Sequence, residues 1–161
     1  MHNFTYYNPV KVLFGKGQIQ ELSQLIPANT KILLAYGGGS IKTNGVYQQV
    51  IDNLKNQQII EFSGIEANPD YDTLMRAVKI CQTEKIELIL AVGGGSIIDG
   101  CKFIALAAHY QGDPWEILTN PTYQADKAIT LGVVQTLPAT GSEMNSGAVI
   151  SRRSIGAKQA F

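Results

Sequence analysis

The same tetrapeptide, Gly-Gly-Gly-Ser, closes two apolar runs of this chain, and this repetition constrains the fold more than any other feature. Lys31-Ile-Leu-Leu-Ala-Tyr36 leads into Gly37-Gly-Gly-Ser40, and Glu87-Leu-Ile-Leu-Ala-Val92 leads into Gly93-Gly-Gly-Ser96. Both runs are short, aliphatic and bounded, as strands buried on both faces are. The second glycine run feeds a helical pattern. Ser96 and Asp99 read as the first and fourth positions of an S-x-x-D capping box at its start. Glycines let main-chain N–H groups approach a ligand with no Cβ between, and a helix N-terminus adds partial positive charge. A strand, a glycine loop and a helix so joined form a site for a phosphate or pyrophosphate.

The rest of the chain repeats the alternation. Val10–Phe14 is β-rich and follows an extended arm, Phe4–Pro9, that can pair with a partner's sheet edge. Ile19, Leu22, Leu25 and Ile26 predict a helix over Gln18–Ile26. Val46, Val50, Ile51 and Leu54 predict one that Gly45 begins, and Leu74, Ala77, Val78 and Cys81 one that runs to about Lys85. Gln58–Phe62 reads as a strand between them. Ser96 to about Tyr110 is helical, Gln111–Asp126 is polar and turn-rich around Trp115, and Ile129–Leu137 and Gly147–Ser151 read as strands. This order predicts a single α/β domain over residues 1–161, a Rossmann-like parallel sheet with helices on both faces. Ligands of such sheets bind beyond the carboxyl ends of the strands. Both glycine loops, Asn68-Pro69 and Pro138-Ala-Thr-Gly-Ser142 are expected on that edge, and four loops there suit a dinucleotide.

Composition narrows the partners. Thirteen basic residues balance thirteen acidic ones and no basic run occurs, which disfavours nucleic acid. No apolar stretch reaches membrane-spanning length, and the first residues lack the pattern of a signal peptide, so a cytoplasmic protein is expected. Cys81 and Cys101 are expected to be buried structural thiols. His2 and His109 lie far apart and are not spaced as a metal pair.

The glycine motifs match neither common phosphate fingerprint. G-x-G-x-x-G would need glycine where Ile98 stands, and in the P-loop frame Cys101 displaces Lys102. Two readings therefore stand on the residues alone: a dinucleotide site, or a glycine turn needed for close strand–helix packing.

Several motifs in order resemble one family. Gly93-Gly-Gly-Ser-Ile-Ile-Asp99 is similar to the G-G-G-S-x-x-D segment of the iron-containing alcohol dehydrogenases, and Thr136-Leu-Pro-Ala-Thr-Gly-Ser-Glu143 to their T-x-x-x-T-G-S-E segment. Phe14-Gly-Lys-Gly17, Glu66-Ala-Asn-Pro69 and Lys158-Gln-Ala-Phe161 match as well. The resemblance is nearest to the NADPH-dependent aldehyde reductases and butanol dehydrogenases. It implies a dehydroquinate synthase-like N-terminal cofactor domain. In the complete two-domain enzyme a further helical domain supplies an Asp and three His for divalent iron or zinc. For this chain it implies no catalytic and no metal residues of its own, and an inactive isolated domain. Glycerol dehydrogenase and dehydroquinate synthase are the nearest alternatives among enzymes; a stand-alone nucleotide-binding or dimerising module is the alternative outside them.

Residue roles follow. Gly94, Gly95 and Ser96 are expected to cradle the pyrophosphate, with Asp99 accepting hydrogen bonds rather than facing the anion. Gly37, Gly38, Gly39 and Ser40 are expected to choose the cofactor. NAD-preferring relatives carry an Asp at the position matching Gly39, so a loop without a carboxylate favours NADP(H) over NAD(H), with Lys42 nearby. The resemblance places Asn68 on the adenosine side and Thr136 and Thr140 at the adenine or pyrophosphate. It places Asn145 and Gly147 towards the nicotinamide and Lys158 at the nicotinamide ribose. Glu143 is expected to hold its loop, and Trp115 to pack. A small aldehyde or primary alcohol is the substrate the resemblance implies for the full enzyme; the Phe4–Pro9 arm leaves a homodimer of this chain open.

Overall fold

The computed structural model describes residues 3–5 and 7–161. Met1, His2 and Tyr6 lie outside the described residues, so the expectation for His2 and part of that for the N-terminal arm fall there. Strands β1 (Lys31–Tyr36), β2 (Gln58–Phe62), β3 (Leu88–Gly94) and β4 (Thr130–Leu137) form one parallel sheet in the order β2-β1-β3-β4. The alternation of apolar runs with helical patterns dictates this arrangement, because parallel neighbours need a crossover between them.

Strand periodicity divides the core. Leu33, Ala35, Ile89 and Ala91 face one side, where helices α4 (Tyr71–Glu84) and α5 (Gly95–Ala107) cover them with Leu74, Ala77, Val78, Cys81, Cys101 and Ile104. Ile32, Leu34, Tyr36, Leu90 and Val92 face the other. There α1 (Leu22–Leu25), α2 (Ser40–Thr43) and α3 (Val46–Asp52) pack, with Ile26, Ile41 and Val50 buried. Helices thus lie on both faces, as expected. Cys81 and Cys101 are buried free thiols within α4 and α5. Trp115 is buried edge-on to Tyr71, just before a short helix, α6 (Glu116–Thr119).

Several boundaries differ from the sequence expectation. Val10–Phe14 belongs to no strand, and Val12 and Phe14 are exposed. The helix expected over Gln18–Ile26 divides into a 3-10 turn, Gln18–Glu21, and α1. The strand expected over Gly147–Ser151 is β5 (Val149–Arg152). It does not join the sheet but pairs antiparallel with β6 (Ala157–Ala160). This hairpin is docked by Ser151, whose N–H donates to Pro69 O at 2.9 Å, and by Asp70, which caps α4 through Oδ1 and accepts the Arg153 N–H through Oδ2.

The capping box is also corrected. A register shift at Gly93/Gly94 lets α5 start at Gly95 with Gly94 as its N-cap, so Ser96 already lies inside the helix. Its hydroxyl accepts the Asn68 N–H at 3.4 Å, and Asp99 Oδ2 accepts the Val149 N–H at 3.1 Å, 50 residues away.

Candidate cofactor site

β1 and β3 are neighbours in register, with Tyr36 opposite Val92, so the two glycine runs leave the sheet side by side at its carboxyl edge. Between them lies a cleft of about 500 Å³, a volume suited to part of a dinucleotide. Gly37, Gly38, Gly39, Ser40, Gly94, Gly95, Ser96 and Thr136 all line it. The first turn of α5 opens onto it, so main-chain N–H groups and the helix dipole favour an anion there.

The glycines divide by what a side chain would meet. A Cβ on Gly93 would fall 2.5 Å from Ile97 Cγ1, and one on Gly95 would fall 2.5 Å from Thr140 Oγ1 and 3.2 Å from Ser142 Oγ. These two positions are glycine for the fold's own packing. A Cβ on Gly94 would meet Leu137 only at an ordinary 3.5 Å, and one on Gly38 would meet nothing within 4 Å. Neither has a left-handed backbone. The fold requires neither glycine, yet both keep the cleft floor bare. Gly39, by contrast, has φ +100° as the N-cap of α2, a conformation that disfavours other residues.

The remaining expected site residues fall into two groups. Asn68, itself left-handed at φ 56°, is tied to the cleft rim through Ser96, and its Oδ1 accepts a 2.9 Å hydrogen bond from Lys158 Nζ. Thr140 bonds Ser142 at 2.7 Å beside Gly95. Asp99 stands farther along α5, and Asn145 and Gly147 lie against its Lys102. The Lys102 ammonium, which sequence reasoning left without a role, donates there to Gly147 O at 2.6 Å and to Asn145 Oδ1 at 3.0 Å. A lone basic residue between Gly100-Cys101 and the apolar Phe103–Ala107 was the available signal for it. Glu143 accepts from Gln135 at 2.8 Å, consistent with a residue that holds its loop.

Lys42 does not line the cleft. Its ammonium lies 3.5 Å from Glu61 and over the rings of Tyr36 and Tyr47. The Tyr36 and Tyr47 hydroxyls donate to the Glu61 carboxylate at 2.6 and 2.5 Å, and these two bonds hold its pKa below the usual carboxylate range. The charge that Lys42 was expected to lend the glycine loop is committed to Glu61. The Gly37–Ser40 loop itself thus offers an anion main-chain N–H groups and the Ser40 hydroxyl. Among the described residues no three His, Cys, Asp or Glu gather as a metal needs, so the described residues do not fit a divalent iron or zinc.

Comparison with known proteins shows the family and the fold. The family model described as iron-containing alcohol dehydrogenase matches residues 9–161. The NADPH-dependent aldehyde reductase YqhD of Escherichia coli strain K12 is 53% identical over all of this chain and 42% of its own length. Its crystal structure superposes with a TM-score of 0.95 over 99% of this chain. The NADP-dependent alcohol dehydrogenase 3 of Entamoeba histolytica is 48% identical over 100% of the chain and 43% of its own length. A probable NADH-dependent butanol dehydrogenase 1 of Bacillus subtilis is 49% identical over 94% of the chain and 40% of its own. The chain therefore spans about two fifths of the length of the relatives it matches. By sequence and by fold, the chain belongs to the iron-containing alcohol dehydrogenase family.

Proposed function

We propose that this chain is the cofactor-binding part of an NADP(H)-dependent alcohol dehydrogenase or aldehyde reductase, in which hydride passes between NADPH and an aldehyde or primary alcohol. The observation that carries the reading is the cleft between the glycine loops, with Gly38 and Gly94 kept bare where the fold itself does not require it. Bound NADPH would supply the hydride. The N–H groups of residues 94–96 would receive the pyrophosphate, Lys158 would meet the nicotinamide-side ribose hydroxyls, and Asn68, on the adenosine side, would hold Lys158 through its Oδ1. Related proteins are named for NADPH in one case and NADH in another. The choice for this chain therefore rests on the Gly37–Ser40 loop, which has no carboxylate to repel a 2′-phosphate and carries the Ser40 hydroxyl to receive one.

Calorimetric titration with NADPH and, separately, NADH tests this. NADPH binding about tenfold tighter, or about 1.4 kcal/mol, is expected. Equal binding would leave the dinucleotide site and remove the 2′-phosphate assignment. No binding of either would remove both.

The lack of a metal-ligand set among the described residues favours a second reading, a nucleotide-binding module without catalysis of its own. The two part on aldehyde-dependent NADPH oxidation with added Fe²⁺ or Zn²⁺. None is expected of the 161-residue chain, and measurable turnover would reject that expectation. The exposed Phe4 and Tyr7 of the arm, and the outer edge of β4, which pairs with no other strand among the described residues, further support association with a second copy.

A further inference from the structure

Lys102 is the only basic residue of α5, and its side chain is 10% exposed. An ammonium withdrawn this far from water is costly unless its hydrogen bonds are filled. Burial lowers its pKa, with the Asp99 carboxylate 4.0 Å away acting in the opposite direction. An aliphatic residue would suit the apolar helix without that cost.

The bonds made in exchange all reach one segment. Lys102 Nζ donates to Gly147 O and to Asn145 Oδ1. Asn145 Oδ1 also accepts the Gly147 N–H at 3.0 Å, and its Nδ2 donates to Gly141 O at 2.9 Å. One turn nearer the glycines, Asp99 holds the Val149 N–H. Ala148, between these anchors, exchanges two 3.2 Å main-chain hydrogen bonds with Phe161 at the end of β6. What Lys102 fixes is therefore both the 141–149 segment and the hairpin that carries Lys158.

The same helix begins at the glycine loop. Ser96 and Lys102 are six residues apart, a rise of about 9 Å along α5. We propose that Lys102 is a positioning residue that uses α5 as a ruler. It sets Asn145 and Gly147, which the dinucleotide reading puts at the nicotinamide end, at a fixed distance from the phosphate-binding loop. The inference rests on the dinucleotide reading above and adds a residue to it.

The test compares NADP⁺ with 2′,5′-ADP, which lacks the nicotinamide half, by calorimetry on the wild-type chain and Lys102→Met. The variant is expected to bind NADP⁺ about tenfold more weakly and 2′,5′-ADP with unchanged affinity. An equal loss for both ligands would assign Lys102 to general stability and overturn the proposal, as would no loss for either. A wild-type chain that binds neither ligand would instead fail the dinucleotide reading itself, and the proposal with it. Amide hydrogen exchange of the unliganded proteins gives a readout independent of ligand. Gly147 and Val149 are expected to exchange about tenfold faster in Lys102→Met, with β1 and β3 unchanged. Unchanged exchange at 147 and 149 would also overturn the proposal.

Discussion

The Lys158 ammonium donates a 2.9 Å hydrogen bond to the side-chain oxygen of Asn68, 90 residues earlier in the chain, and the Asn68 N–H in turn reaches the hydroxyl of Ser96. A three-residue relay thereby connects the β6 hairpin to the first turn of α5. It brings a cation to the rim of a cleft that is otherwise lined by main-chain groups and small side chains. Lys158→Ala is expected to lower NADPH affinity about tenfold. Because the bond is exposed, stability should change by less than about 1 kcal/mol. Calorimetry and urea unfolding on the same variant check the two statements together.

The neighbouring glycines Gly93 and Gly94 should respond oppositely to one added methyl group. Gly93→Ala drives a Cβ to 2.5 Å from Ile97 and is expected to destabilise the chain by about 1–3 kcal/mol in urea unfolding. Gly94→Ala makes only ordinary contacts with Leu137 and should unfold within about 1 kcal/mol of wild type. Its NADPH affinity should nevertheless fall at least about tenfold. A Gly94→Ala variant that binds as wild type would mean that the second glycine serves no ligand.

Alkaline pH should unfold the chain through groups that its core keeps protonated. Burial, followed by the hydrogen bond to Asp113, pushes the Tyr71 hydroxyl from 10.0 to about 12, and burial pushes the Cys81 thiol from 9.0 to about 12. Both groups hold their protons more tightly folded than unfolded. Their contribution is complete below the unfolded values and is lost as pH rises towards about 12. Urea midpoints are therefore expected to fall from about pH 9 upward. Tyr71→Phe should be less stable near neutral pH by about 1 kcal/mol, yet show a shallower alkaline decline.

Thiol labelling gives a related prediction. Cys101 is fully buried and its pKa is raised by burial, and Cys81 is 3% exposed. At about pH 8 neither should react with an aromatic disulfide reagent in the folded chain, and both should react at once in denaturant. Rapid labelling of the native chain would contradict the packing of α4 against α5.

The segment after the arm, Val10–Phe14, makes an assembly prediction. Val10, Val12, Leu13 and Phe14 are exposed, and they flank a groove of about 1870 Å³ that runs along β4, whose outer edge pairs with no other strand among the described residues. Analytical ultracentrifugation is expected to find a concentration-dependent dimer, and Val12→Asp to shift it to monomer by about tenfold in dissociation constant. A wild-type chain that stays monomeric at high concentration would reject pairing through Val10–Phe14.

The sequence by itself determined the parallel sheet, the two buried central strands, the placement of both glycine runs at one edge and the family. Each of these is written in local periodicity, loop residues and motif order, which act over a few residues. Only the tertiary structure decided which glycines serve packing and which leave the cleft bare, because that depends on Ile97, Thr140 and Ser142 arriving from other turns and loops. It moved Asp99 from a cap to the anchor of Val149. It committed Lys42 to Glu61 and gave Lys102 its partners 43 and 45 residues away. It also left Val10–Phe14 out of the sheet despite a strand-like sequence. β-propensity describes a fit to a pleated neighbour, and among the described residues this segment has no neighbouring strand.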